Sequence, residues 1–253
     1  MEPWVEEQLR SVPGHIGFWY KDLVTGETHA YNARETFQAA SVIKLPILCS
    51  VFLRAEEDPG VLDQRVLVRE EEKLPGCGAL QHIAGAHEYD VLSLCRLMIT
   101  ISDNTATNAL IRHFGMEALN GDSRPLGVEE TRIYRLLLDA EASRMGKENL
   151  FQPEELGSLL EKIYRKELVS PRGSEQIADI LLRQQINHKI PGCLPPDLRV
   201  AHKTGEDDGI TNDLGIVYER EPFVLVFASN ETDVPAFEQA IRAVSYYYAK
   251  GRK

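Results

Sequence analysis

The chain has 253 residues, of which 43% are apolar, enough to bury a full core as one large domain or two small ones. Its formal net charge of -11, with no basic stripe, excludes nucleic acid and anionic membrane surfaces as expected partners. No run approaches the roughly 20 apolar residues that span a bilayer, and "MEPWVEEQLR" lacks a leader's basic and apolar regions, so a cytoplasmic chain, or a mature exported one whose leader was removed, is expected.

After a short helical start, "HIGFWYKDLVTGETHAYNA" (His15 to Ala33) predicts two strands of alternating polarity around "VTGE", a β-hairpin with Gly26 in the turn. From Ser41 to about Arg54 the apolar spacing becomes helical. In "EYDVLSLCRLMITIS", Val91, Leu94, Cys95, Met98 and Ile101 recur at steps of three and four, and "DNTATNALIRHF" continues as helix. Between these, "EKLPGCGALQHIAGAHEY" is glycine-rich and aperiodic, as a long connecting loop would be. "QPEELGSLLEKIYRKEL" and "RGSEQIADILLRQQI" are two further amphipathic helices. After "CLPPDL", the segments "RVAHKTGEDDG", "TNDLGIVYE" and "PFVLVFASN" are strand-like, and "DVPAFEQAIRAVSYYYAK" closes the chain as a helix.

This order predicts an α+β fold. An antiparallel sheet with N- and C-terminal helices (residues 1–38 and 191–253) carries an inserted helical lobe (residues 39–190), with a site in the crevice between them. The seven histidines show no HExxH-type pairing, so no metal is expected, and nothing calls for a cofactor. Cys49, Cys77, Cys95 and Cys193 have neither CxxC spacing nor the density of a disulfide scaffold and read as buried free thiols.

Three short motifs carry the chemistry. Ser41 and Lys44 in "QAASVIKLPIL" stand one helical turn apart, so the amine can reach the serine oxygen. Burial or neighbouring cations would depress the lysine pKa and let it act as a base. A Ser-x-x-Lys tetrapeptide alone is expected about once by chance in a chain of this size. "SDN" (Ser102 to Asn104) follows the apolar helix from Val91 and read alone is a helix cap. "KTG" (Lys203 to Gly205) lies on a strand-like stretch and read alone is an edge lysine before a turn. The three in this order, each in the element its chemistry needs, form a combination associated with class A β-lactamases and penicillin-binding proteins.

On these motifs the chain resembles the class A branch of the serine β-lactamase and penicillin-binding superfamily. "FQAASVIKLPIL", "GCGALQHI", "LMITISDNTATNALI", "ENLFQPEEL" and "HKTGEDDGITNDLGIV" match that branch in its order, over about residues 15 to 250. The resemblance implies Ser41 as nucleophile and Lys44 as a partner in removing its proton. It implies that Ser102 passes a proton to the departing nitrogen, and that Asn104 binds the substrate's side-chain amide and holds Lys44. Lys203 and Thr204 would hold a substrate carboxylate, Gly205 would let substrate lie close to the strand, and the N–H groups of Ser41 and Glu206 would form the oxyanion hole. The implied ligand is a β-lactam or an acyl-D-Ala-D-Ala-like molecule, and a monomer is expected.

Three departures from that branch qualify the resemblance. Freeing the acyl-enzyme needs a base on an irregular loop, and the alignment of "ETRIYR" puts Leu137 at its glutamate. Asp139 and Glu141 in "LLLDAEA" are the nearby acids, reachable if a loop about two residues shorter shifts the register. Glu206, Asp207 and Asp208 stand where small neutral residues are usual, and would repel a carboxylate if they face the site. Cys95 fits one half of a disulfide found in some relatives, whereas Cys49 is one residue off, so no bridge is expected. The expected activity is serine hydrolysis of β-lactams, with a penicillin-binding protein or sensor that acylates without turnover, or a related esterase or peptidase, as the alternatives.

Overall fold

The computed structural model describes residues 1–250. In chain order, α1 (Pro3–Arg10) precedes β1 (His15–Asp22), β2 (Thr28–Tyr31) and the two-residue β3 (Phe37–Gln38). The helical block holds α2 (Lys44–Glu57), β4 (Arg65–Val68), β5 (His87–Asp90), α3 (Val91–Thr100), α4 (Asn104–Phe114), α5 (Met116–Gly121), α6 (Ser123–Leu126), α7 (Ala140–Arg144), β6 (Leu150–Phe151), α8 (Pro153–Arg165) and α9 (Pro171–Leu181). The chain then returns through β7 (Arg199–Asp207), β8 (Ile210–Tyr218) and β9 (Phe223–Asn230) to α10 (Val234–Lys250).

The strands at the two ends form one five-stranded antiparallel sheet in the order β2-β1-β9-β8-β7. Period-two alternation divides its side chains between two cores. Phe18, Tyr20, Leu225 and Phe227 meet Val5, Leu9, Phe237 and Ile241 of α1 and α10 on one face. Trp19, Val224, Val226 and Leu214 point the other way, against α2, α3, α8 and α9. Strand β9 is buried on both faces, which is why "FVLVFAS" is continuously apolar rather than alternating.

The predicted hairpin, helices and three C-terminal strands are all present. Two small ladders are not in the sequence reading: β3 pairs with β6, and β4 with β5. The long glycine-rich connection is therefore partly strand, because His87–Asp90 finds a partner 20-odd residues upstream. The cysteines need correction as well: Cys49 and Cys95 are buried thiols, but Cys77, in the glycine-rich connection, and Cys193, at the end of the 3₁₀ turn Ile190–Cys193, are exposed. Among the described residues no helix is long and apolar enough to cross a membrane.

Candidate active site

Ser41 does not open an α-helix. It lies in a 3₁₀ turn, Ala40–Ile43, that tightens the entry to α2, and Ala40 before it holds φ at +43°. An alanine in this left-handed region costs on the order of 1 kcal/mol and is held by its surroundings: Ala39 N–H donates to Asn149 O at 2.7 Å and Val42 N–H to Ala39 O at 3.0 Å. The turn leaves Ser41 half-buried in a cleft and starts α2 at Lys44, which is wholly buried.

Lys44 Nζ is 2.9 Å from Ser41 Oγ, 3.0 Å from Ser102 Oγ, 2.8 Å from Ser102 O and 3.0 Å from Asn104 Oδ1. An ammonium has three hydrogens for these four oxygens, whereas a neutral amine has two hydrogens and a lone pair that a serine hydroxyl can donate into. Burial, reinforced by the nearby Lys203 charge, holds the Lys44 pKa well below the ordinary lysine range and favours the neutral form.

Ser102 is the second strained residue, with φ at +55° between the end of α3 and the start of α4. The strain is held on both sides. Lys44 binds its carbonyl, and Asp103 caps α4 through Ala106 N–H at 2.9 Å while also taking Leu80 N–H at 2.9 Å. The second contact ties the "GCGAL" segment to the motif. A Cβ at Gly78, whose φ is +112°, would lie 2.3 Å from Asp103 Cγ, so only glycine fits.

The third wall is β7, the edge strand. Lys203 is wholly buried, donating to Ser102 Oγ at 3.1 Å and Thr204 O at 2.7 Å. Burial pushes its pKa down to about 7, opposed by the buried Asp213 carboxylate and helped by Lys189. Ser102 Oγ thus bridges two amines that compete for charge. Gly205 brings the strand against the Ser41 turn: a Cβ there would meet Ala39 O at 3.0 Å and Val42 Cγ1 at 3.1 Å. Opposite Glu206, Thr211 N–H donates to Ser229 Oγ on β9 at 2.9 Å, so this cross-strand pair is not hydrogen-bonded and Glu206 N–H turns outward off the free edge.

A cleft of about 330 Å³ joins these parts, lined among others by Ser41, Cys77, Asn104, Leu137, Asp139 and Glu206. Leu137 is fixed through its backbone: its N–H donates to Asn108 Oδ1 at 2.8 Å and its carbonyl accepts from Asn108 Nδ2 at 3.0 Å. Arg135 and Glu148, paired at 2.6 Å, close the neck of the loop. Asp139 lines the cleft, but its carboxylate caps α7 by accepting from Ala142 N–H at 3.0 Å. Glu141 is exposed and is not among the residues that line the cleft. Glu206 and Asp207 do line it, whereas Asp208 does not.

Sequence reasoning missed four residues here. Asn108 and Asn149 clamp the loop and the Ser41 turn, and Asp213 is wholly buried next to His202 at 3.1 Å. Lys189, also wholly buried, donates to Gly205 O at 3.0 Å and Asn212 O at 3.1 Å and faces Glu206 Oε1 at 3.1 Å. None of the four stands in the Ser-x-x-Lys, SDN or KTG motif, although Asn108, Asn149 and Asp213 fall within the longer stretches that carry the resemblance.

The family model described as the beta-lactamase enzyme family matches residues 4–247. A β-lactamase of Streptomyces fradiae is 29% identical over 236 residues, covering 87% of this chain and 76% of that protein. Among solved structures, PBP-A superimposes with a TM-score of 0.88 at 30% identity, covering 98% of this chain and 94% of that one, and a leucine-to-glutamate variant of it was solved as an acyl-enzyme complex with penicillin G. A β-lactamase from Sphaerobacter thermophilus gives 0.87 at 27% identity, with 98% and 96% covered.

Proposed function

The chain belongs to the β-lactamase enzyme family, and we propose that it is a serine hydrolase that opens β-lactam rings through an acyl-enzyme on Ser41. The observation that carries this is the continuous path Ser41 Oγ, Lys44 Nζ, Ser102 Oγ, Lys203 Nζ, with links of 2.9, 3.0 and 3.1 Å. Neutral Lys44 accepts the Ser41 proton as Oγ attacks the lactam carbonyl. Ser102 delivers a proton to the departing ring nitrogen and is replenished from the lysines. The oxyanion forms between the N–H groups of Ser41 and Glu206, and Lys203 with Thr204 holds the substrate carboxylate. Asn104, held by Lys44 on one side and donating to Pro75 O at 3.2 Å on the other, is oriented to receive the substrate's side-chain amide.

Deacylation is the slow half of this reaction. Leu137, which supplies no base, stands on the cleft wall, and Asp139, two residues further along the chain, is engaged as a helix cap. This favours a second reading, a penicillin-binding protein that acylates with little turnover; the PBP-A likeness, with its leucine-to-glutamate variant, supports it. Intact protein mass followed against time after adding penicillin G separates the cases. A transient adduct on Ser41 with product release marks the hydrolase, a lasting adduct marks the penicillin-binding protein, and no adduct rejects both.

A further inference from the structure

Three donor atoms converge at the rim of the cleft, outside the path from Ser41 to Lys203. His188 Nε2 lies 3.4 Å from Glu206 Oε1 and 3.3 Å from Glu238 Oε1, and ligand atoms of the three residues all lie within 4.8 Å of one another. The residues come from separate segments: the bend before the 3₁₀ turn Ile190–Cys193, strand β7 and helix α10. That separation is why histidine spacing in the sequence predicts no metal. His188 and Glu206 are exposed and Glu238 is partly buried, so an ion can enter from solvent without opening the fold.

As an ion pair the arrangement is poor. Both imidazole-to-carboxylate distances fall beyond the ordinary N–H···O range of about 2.7–3.2 Å, and one Nε2–H cannot point at two carboxylates at once. As a coordination shell it fits. Zinc bonds of about 2.0–2.1 Å at the tetrahedral angle set neighbouring ligand atoms about 3.3–3.4 Å apart, which is the separation His188 keeps from each glutamate. The backbones are held independently of any ion: Arg242 Nη1 donates to His188 O at 3.1 Å, Glu206 is in ladder register with Thr211, and Asp233 caps α10 by accepting from Ala236 N–H at 3.1 Å. Each carboxylate is steadied from a further side as well. Lys189 Nζ lies 3.1 Å from Glu206 Oε1, Arg242 Nη1 lies 3.7 Å from Glu238 Oε2, and Thr211 Oγ1 donates to Glu238 Oε1 at 3.4 Å. Outer partners of this kind orient metal-binding carboxylates. The two cations also offset the carboxylate charge, so an affinity below that of a closed four-ligand structural site is expected.

We propose that His188, Glu206 and Glu238 form a zinc site, with one imidazole nitrogen and two carboxylate oxygens as ligands and a fourth position left to solvent. Calcium and magnesium are disfavoured, because they take six or more oxygen ligands and this shell offers two carboxylates and a nitrogen. The ion would tie β7 to α10 beside the cleft, and the site is independent of the reaction that Ser41 performs.

Titration of the full chain with Zn²⁺ against a chromophoric chelator tests this. Exposed Cys77 and Cys193 are replaced by serine in every form compared, so that no surface thiol holds the ion. The expected result is one Zn²⁺ bound per chain, with an affinity at least tenfold weaker in His188→Ala, Glu238→Gln and Glu206→Gln. His87→Ala, which removes an exposed imidazole on β5, should leave the affinity unchanged. Absence of binding in the parent overturns the site. So does an affinity within twofold of the parent in any folded one of the three ligand variants, an equal weakening in His87→Ala, or displacement of Zn²⁺ by an equal concentration of Ca²⁺. Thermal unfolding without metal identifies which variants are folded. Because the three ligands lie on separate segments, a variant that fails to fold leaves the other two to decide.

Discussion

At the scale of single residues, the site is a set of buried amines whose charges are incompatible. In the proposed mechanism Lys44 must be neutral to take a proton and Lys203 must be charged to hold a carboxylate, and both are wholly buried around one serine oxygen. The signs give a pH profile. As pH rises through about 7, Lys203 loses its proton and its hold on an anionic substrate, while the neutral fraction of Lys44 only grows. Bound carboxylate raises the Lys203 pKa again, so the alkaline fall belongs to kcat/KM and not to kcat. Profiles for nitrocefin and for a neutral p-nitrophenyl ester are expected to differ in that limb, and Lys203→Arg, charged at every accessible pH, should remove it. Identical alkaline limbs for both substrates would reject the assignment. A second expectation concerns Leu137. Because Asn108 holds its backbone and not its side chain, Leu137→Glu keeps the loop in place and puts a carboxylate on the cleft wall. The lifetime of the Ser41 adduct, read by intact mass, should fall by about 100-fold or more, the usual contribution of a general base. An unchanged lifetime would show that the loop cannot bring a carboxylate to the ester.

At the scale of elements, each motif works because a neighbouring segment is pressed against it. Gly205→Ala would drive a methyl group toward Ala39 O and Val42, separating β7 from the nucleophile turn, at a cost of about 1–3 kcal/mol for overpacking. A lower denaturation midpoint accompanied by a loss of acylation rate is expected, and full acylation in a destabilised protein would dissociate the contact from catalysis. The same dependence on neighbours explains what could be read from the chain. Helices α3, α8 and α9 announce themselves by spacing, and β7 to β9 by strand-like stretches between turns, so Ser102 and Lys203 could be placed on the right elements. The ladders β3–β6 and β4–β5 are two to four residues long, too short for a period, and exist because of distant partners. Asn108, Asn149 and Lys189 are illegible for a related reason. Their partners are mainly backbone groups brought in by the fold, and a lone asparagine or lysine in sequence carries no mark of that.

At the scale of the whole molecule, the sheet separates two cores that play unequal parts in the chemistry. One, under α1 and α10, contains no residue of the site, whereas the other contains α3, whose end delivers Ser102, and Val42 and Ile43, which flank Ser41 and Lys44. Phe237 in the first core is wholly buried against Phe227 with ring centroids 6.2 Å apart, and Leu94 in the second is wholly buried on α3. Truncation to alanine should cost about 3–5 kcal/mol at Phe237 and about 2–5 kcal/mol at Leu94 through lost burial and the cavity left behind. Thermodynamics alone would not tell the two apart. Kinetics should, because the Phe237 cavity lies across the sheet from the cleft, whereas relaxation around Leu94 moves α3 and with it a serine held at positive φ within 3.0 Å of Lys44 and 3.1 Å of Lys203. Small displacements of such groups cost large factors in rate. Measured well below both unfolding midpoints, where each variant is fully folded, Phe237→Ala should acylate at the wild-type rate and Leu94→Ala at least tenfold more slowly. Equal losses in the two would mean that the sheet transmits strain between its faces and that the cores cannot be assigned separate roles.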